Sequence, residues 1–558
     1  MTKFSKFVSQ IIDTFRSTKR PIPLTEGVLD RSGEFHYVDF DGNDHVDQFL
    51  PTGSIYMRRD KPSSQDMIVP LVKKLISGGE KVIVFRNQKG PTQGCASYLA
   101  KELNLPPADD AIQELPTQDL PTTSSVLRSC LEGGTAFHNT NLTREERTVI
   151  EKNFRDPNSN IRVLVATTTV AAGINTPVST VILAENEFLG DDGRPFSVAE
   201  YKNMAGRAGR LGFKEEGKAI ILADNSFERE NLFGHYVKGQ LESLHSSFNP
   251  KDLDTWLIRL LVQIKRIERD RVYSVLANTF GGFVAAKSDP EWNTRNAPHL
   301  DNLLNKMISL GLVEEEGNFI QLTLLGQACG RSSLSFNSVI RLVEFLKLPE
   351  LGTLNAVNLI PVIQLLPESD GGYTPMFKRG KAEFVRSQQM SDRYGSGLAR
   401  LLQRYASDNF EYLARCKRAA ILWDWINGRS VSDIERDFTV NPYSGIIGHG
   451  EIRKFADATR FHLRSASEIV WLLFPDTING KSVDDLLRQL EVGIPADGLG
   501  LLELPMNLSR GEYLALYGNG MKTKDQVSKL SVEELVSVLG KSKAESVKLF
   551  LEKNISLL

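Results

Sequence analysis

Cysteine is scarce in this 558-residue chain, and its four copies, Cys95, Cys130, Cys329 and Cys416, stand far apart. No CxxC pair occurs, so the spacing supports neither a zinc site nor a disulfide framework, and no metal-ligating set is expected. Scattered thiols of this kind suit a reducing, cytoplasmic setting. Long apolar runs are missing too: none reaches the roughly 18 residues that a membrane span needs. The amino-terminal MTKFSKFVSQIIDTF sets Phe4, Val8, Ile11, Ile12 and Phe15 at helical spacing. It lacks a signal-peptide core and reads as a docking or packing helix. Nor does one charge dominate. The formal net charge is −2, so no global basic field advertises nucleic acid, and any such surface is local. What remains is 41% hydrophobic and 24% charged residues, the material of about three to five globular domains.

Residues 33–50 read as a polar-tipped hairpin around Asp41-Gly42. From Met67 to Leu103 helical and strand patterns alternate, as in an α/β layer. Residues 104–130, rich in Pro, Asp, Gln and Thr, read as a loop-heavy insertion. Strand signals return at Arg162–Ala166, Val181–Ala184 and Lys218–Leu222, so the layer is expected to end near Asp224. Past residue 250 the pattern turns helical. Leu253–Val275 and Leu300–Leu310 are amphipathic, and GLVEEEGNFIQLT after them reads as a two-strand wing.

The densest chemistry lies in Tyr201 to Arg210, YKNMAGRAGR, which follows ATTTVAAGINTPV at Ala166 to Val178. Arg207 and Arg210 are three apart and each follows a glycine. The spacing predicts both guanidinium groups on one face of a short helix, with small residues allowing another domain to approach. Such a pair suits the γ-phosphate of a nucleotide held by a neighbouring domain, in the manner of an arginine finger. A solvated helix face is the other reading of a lone GRAGR.

GRAGR is not alone. KVIVFRN at Lys81 to Asn87, AFHNTNLTREERTVIEKNFR at Ala136 to Arg155, VLVATTTVAAGINTPV at Val163 to Val178 and YKNMAGRAGR follow in order. This series resembles the second motor domain of a superfamily 2 helicase of the DExH type. The GINTP and MAGRAGR wording is similar to the branch of archaeal DNA-repair helicases and exosome-associated RNA helicases. One departure is Asn203, where the family usually has Gln; Asn keeps the amide but is one methylene shorter. A complete motor of this type also has a first domain with a GxxxxGK[ST] loop and an acidic box. Neither occurs in the 558 residues, and GNGMKT at Gly518 to Thr523 lacks the spacing. RPIPLTEGVL at Arg20 to Leu29 resembles the segment that joins the two motor domains. The chain therefore reads as the back half of a helicase, one wall of the nucleotide pocket, with the first motor domain on a separate chain or lost from the gene.

The resemblance implies an α/β RecA-like motor followed by a winged helix and all-α helical domains. The expected divisions are a linker and docking segment (1–60), the second RecA-like domain (61–225), the winged helix (250–330), a helical ratchet-like domain (331–478) and a helix-hairpin-helix-like domain (480–558). ATP and Mg2+ would be bound mainly by the missing first domain. Arg207 and Arg210 would act in catalysis, Gly173, Asn175, Asn203 and Gly206 toward the nucleotide, and Thr167 and Thr168 on backbone phosphate. A winged helix in this position either braces the motor or reads nucleic acid.

Further along, Met376 to Arg404 carries seven basic residues against Glu383 and Asp392, either a phosphate-binding face or a solvated one. The segment from Glu451 is similar to the family's ratchet helix. Ile452, Phe455, Thr459, Leu463, Ala466 and Val470 make one face, and Arg453, Asp457, Arg460 and Arg464 the opposite one. Arg453, Arg460 and Arg464 are the candidates for strand contacts, and His462 falls on the inner side. Trp423 and Trp425 are expected in the core, with base stacking as the alternative. The Gly518–Gly520 turn between two helices resembles a helix-hairpin-helix, a backbone-amide phosphate binder; a protein-interaction cap competes with that reading.

Two functions follow. One is an ATP-dependent helicase subunit acting on single-stranded or branched DNA, or RNA, with a partner chain that carries the first motor domain. The other is a non-enzymatic, helicase-derived nucleic-acid-binding or regulatory protein. The paired arginines favour the first; Asn203 and the absent Gly-rich loop lean to the second.

Overall fold

The computed structural model describes residues 22–58, 60–168, 178–188, 193–209, 216–242, 252–348, 354–377, 381–441, 445–475, 478–504, 506 and 508–555. Two compact units make up the chain: Met1–Pro116 with Thr122–Ser243, and Thr117–Pro121 with Leu244–Leu558.

In the first unit, ten strands are β1 (Leu24–Leu29), β2 (Glu34–Val38), β3 (Asp44–Gln48), β4 (Val82–Arg86), β5 (Thr135–His138), β6 (Val163–Thr167), β7 (Thr180–Leu183), β8 (Glu187–Phe188), β9 (Arg194–Pro195) and β10 (Gly217–Leu222). Eight form one sheet in the order β3-β2-β1-β10-β7-β4-β6-β5. The six from β1 to β5 in that order run parallel, and β2 and β3 extend the sheet antiparallel. VIVFR, VLVAT and TVIL are buried along their whole length. Continuous apolar runs of this kind are what a parallel sheet covered on both faces requires. This is the α/β RecA-like arrangement.

Three boundaries differ from the sequence reading. β1, expected in a linker, lies inside the sheet with Leu24–Leu29 paired to Gly217–Leu222. The expected hairpin is β2–β3, turning at Gly42 with φ +88°. The 104–130 insertion holds helices Asp109–Glu114 and Thr123–Glu132, because Ala111, Leu127 and Leu131 give it a buried apolar side. The unit also continues past Asp224: helix Ser226–Leu232 and the turn Phe233–Val237 bury Phe233, Tyr236 and Val237 against the sheet.

In the second unit the amphipathic stretch from Leu253 is not one helix. It stops at Gln263, and Ile267–Glu268 form β11, an edge strand paired to Ile320 and Phe319. β12 (Val313–Glu316) and β13 (Phe319–Leu322) form an antiparallel hairpin where two strands were expected, following helix Trp292–Ser309. The remainder is helical. One core runs from Leu253 to Leu490, so residues 250–330 and 331–478 share their interior. A smaller core, from Ile494 to Leu551, belongs to the carboxyl-terminal helices Arg510–Gly518, Lys524–Ser528, Val532–Leu539 and Lys541–Ile555. Among the described residues, no helix is long and apolar enough to cross a membrane.

Candidate functional site

Parallel strands send their connections out at the carboxyl edge, where open α/β sheets bind ligands. Thr167 closes β6 there, buried and in register with Arg86 of β4, and half-buried Thr168 follows. Asn87 follows β4, and His138 ends β5 with its Nε2 3.1 Å from Glu151. The HNTNL string then adds Asn139, buried and with its Nδ2 unpaired among the described residues, and Asn141, whose Oδ1 accepts from Lys89 Nζ at 3.2 Å. The sequence marks this string and KVIVFRN as motifs, but no individual residue of either stood among the predicted site residues.

A cleft of about 280 Å³ opens over the ends of β1, β10, β7 and β4. Its walls include Glu185, Glu187, Asp224 and Glu228. Glu185 pairs with Arg86 at 2.6 Å and accepts from the Asn87 amide at 3.1 Å; burial nevertheless pushes its carboxyl up. Arg31, in the same wall, is tied to Asp224 at 2.8 Å and Asp66 at 3.2 Å. Carboxylates thus outnumber the one arginine in its wall; of the motifs quoted above, only KVIVFRN reaches it, through Asn87.

The arginine segment lies at the opposite, amino edge. Helix Val198–Ala205 starts with a capping box, Ser197 accepting from the Glu200 amide and Glu200 accepting from the Ser197 amide. Arg194 grips the same carboxylate at 2.7 and 2.8 Å and holds Glu200 down at about 2. Tyr201 is fully buried beside Tyr236, and Lys202 reaches Glu26 at 3.0 Å. Asn203 points to solvent from this anchored helix.

The helix ends at Ala205, with Gly206 as its cap. Arg207 therefore lies past the end of the helix, whereas the spacing predicted it on a helix face. It sits half-buried in a turn, because Ala208 is drawn off to bridge Val178, and Gly209, at φ +66°, donates to the Val178 carbonyl at 2.8 Å. Arg210, Gly173 and Asn175 lie outside the described residues. Among the described candidates of this unit, Thr167 thus lies at the carboxyl edge of the sheet and Arg207 at its amino edge.

In the second unit, helix His449–Leu473 buries Ile452, Phe455, Thr459, Leu463, Ala466 and Val470. Arg453, Arg460 and Arg464 lie on the other side, unequally available. Arg453 pairs with Asp457 at 3.1 Å and donates to the Glu491 carbonyl, and Arg460 pairs with the Glu491 carboxylate at 2.6 Å. Arg464 is exposed and makes no ion pair among the described residues. Phe461, 66% exposed between them, was missed in the sequence, where a single aromatic on a helix carries no signal. His462 is buried, as expected, with Nδ1 2.9 Å from the Ser333 hydroxyl, and burial lowers its pKa. Trp425 is core, donating to the Leu490 carbonyl at 3.0 Å.

The basic stretch 376–404 is only partly a surface. Arg386 is buried on Glu383 and over the Phe438 ring, and Arg393 pairs with Asp424, while Arg400 and Arg404 are exposed. Lys378 and Arg379 lie outside the described residues. At the carboxyl end, Gly518 closes its helix and Gly520 turns at φ +83°; a Cβ on either meets nothing within 4 Å. The turn is open to a ligand backbone. Among the described residues no His, Cys, Asp and Glu group is arranged to hold a metal.

Residues 67–212 match the family model of the helicase conserved C-terminal domain. An ATP-dependent DNA helicase Hel308 from Pyrobaculum calidifontis is 27% identical over 544 residues, covering 95% of this chain and 70% of the relative. The Hel308 helicases of Caldivirga maquilingensis and Pyrococcus abyssi are each 26% identical, over 94% and 97% of this chain and 68% and 71% of the relatives. The resemblance to superfamily 2 helicases read from four motifs therefore extends along nearly the whole chain.

Proposed function

We propose that this chain is the strand-gripping and arginine-bearing half of an ATP-dependent DNA motor, completed by a first motor domain on a partner chain. The observation that supports the reading is the placement of its candidates on one sheet: Thr167 and Thr168 at the carboxyl edge and Arg207 at the amino edge. A motor needs both on one rigid body, because the state of the nucleotide has to reach the strand. The relatives' description as ATP-dependent DNA helicases agrees with it.

The donor set fits part of a triphosphate site. Arg207, with Arg210 next in the chain, can neutralise phosphate charge, and the solvent-facing amide of Asn203 can orient toward the nucleotide. The sequence carries no GxxxxGK[ST] loop, and among the described residues no metal-holding carboxylates accompany the arginines, so in this reading Mg2+ and most of the ATP contacts fall to the partner. ATP supplies the free energy of the cycle. The arginines stabilise charge developing on the transferred phosphoryl group, a role worth on the order of 10³–10⁵ in rate. Helix His449–Leu473, through Arg464 and Phe461, grips the strand by a phosphate contact and a stacking face. The segment with the β12–β13 wing acts as a winged-helix brace, and the Gly518–Gly520 turn as a backbone-amide contact to phosphate.

The test is ATP turnover by the purified chain, alone and mixed with a candidate first motor domain, with and without single-stranded DNA. DNA-stimulated turnover that needs both chains supports the split motor. Strand binding without turnover in any mixture makes this a helicase-derived binding protein, the reading toward which Asn203 and the missing GxxxxGK[ST] lean.

A further inference from the structure

The segment Thr117–Pro121, TQDLP, belongs to the second unit although its sequence neighbours on both sides belong to the first. Its centre is Asp119, whose backbone takes the left-handed φ of +51°, rare for a residue with a side chain. The Asp119 carboxylate is buried, 8% exposed, and pairs with Arg510, itself 10% exposed. Its other oxygen accepts the Val431 amide at 2.8 Å, the first amide of helix Val431–Phe438.

Arg510 opens helix Arg510–Gly518 and is held from every side. It donates to the carbonyls of Gly493 at 2.8 Å and Arg429 at 2.8 Å, and lies 4.2 Å over the Trp425 ring. Asp119 is the carboxylate that neutralises this buried guanidinium. The preceding Gln118 donates to the Val538 carbonyl at 2.7 Å, in a third helix, Val532–Leu539. Its own carbonyl lies so near Gly511 that a Cβ there would come within 2.6 Å. Five residues thus touch the ends or flanks of three helices, and each contact is specific in geometry.

We infer that Thr117–Pro121 is a latch on the carboxyl-terminal helices: Asp119 and Gln118 hold Arg510–Gly518 and Val532–Leu539 to Val431–Phe438, and withdrawal of the pentapeptide releases them. A buried ion pair whose carboxylate also accepts an amide hydrogen is costly to break, since removing either partner leaves an uncompensated charge inside. The left-handed backbone at Asp119 is disfavoured for a residue with a side chain, so the surrounding contacts help to impose it.

Hydrogen exchange of the full chain tests the latch. In Asp119→Ala the amides of 431–438, 510–518 and 532–539 should exchange about tenfold faster or more, while those of helix 253–263 stay unchanged. A change below about twofold in the three helices, or equal acceleration in 253–263, would overturn it. Should Asp119→Ala not accumulate as folded protein, Gly511→Ala, which forces Gln118 away, is read on the same peptides with the same two outcomes.

Discussion

Gly209 and Gly217 lie back to back at the amino edge of the sheet. A Cβ on Gly217 would come 2.6 Å from the Gly209 nitrogen, and one on Gly209 would come 2.8 Å from the Gly217 nitrogen. This contact, with the Val178–Ala208 bridge, fixes the turn that presents Arg207. Gly217→Ala should push the turn off β10 and cost about 1–3 kcal/mol of stability. Gly209→Ala adds the strain of a left-handed residue on top. Thermal unfolding of the two variants checks both effects.

Strand binding should depend most on Arg464 and Phe461. Arg464→Ala is expected to weaken single-stranded DNA binding and to lower the salt slope by about 0.7, the share of one phosphate contact. Phe461→Ala should cost about 1–3 kcal/mol with little change in slope, as loss of stacking does. Arg460→Ala should matter less, since Arg460 is already paired with Glu491. Glu491→Gln should tighten binding by freeing it. Fluorescence anisotropy over a salt series separates the four outcomes.

Lys417 gives a pH-dependent signature in the second unit. Its Nζ is buried on the Pro375 carbonyl at 2.6 Å and near Glu383 at 3.4 Å, and burial pulls the ammonium down from 10.5 to about 8. Between those values the unfolded chain holds more protons than the folded one, so stability rises with pH through that window. Below it, the cost of burying the charge is fully present. Lys417→Met removes the titration and leaves Glu383 paired with Arg386. The variant should gain most over the parent near pH 7, on the order of 1–3 kcal/mol, and the gain should shrink toward about pH 10. Calorimetry at the two pH values checks the direction.

Much of the fold was legible because local pattern and burial agree. VIVFR and VLVAT could only be covered strands, and the apolar stripe from Ile452 to Val470 only a packed helix. The errors arose where tertiary contacts overrule local signals. β1 reads as an ordinary extended segment, and only its pairing with β10, nearly two hundred residues on, makes it part of the sheet. The GRAGR spacing of three suggested a helix face, but the Val178 bridge and the Gly209–Gly217 contact end the helix first. The acidic cleft gathers residues from beyond the ends of four strands, and Asp119 meets Arg510 across almost four hundred positions; no spacing rule reaches such pairs.

Removal of the arginines in the two-chain mixture tests the central claim most directly. With DNA present, the account predicts that Arg207→Ala or Arg210→Ala lowers kcat by about 10³ or more while strand affinity stays within about twofold of the parent. Turnover that survives in both variants would contradict it, and the arginine segment would then be only a structural turn.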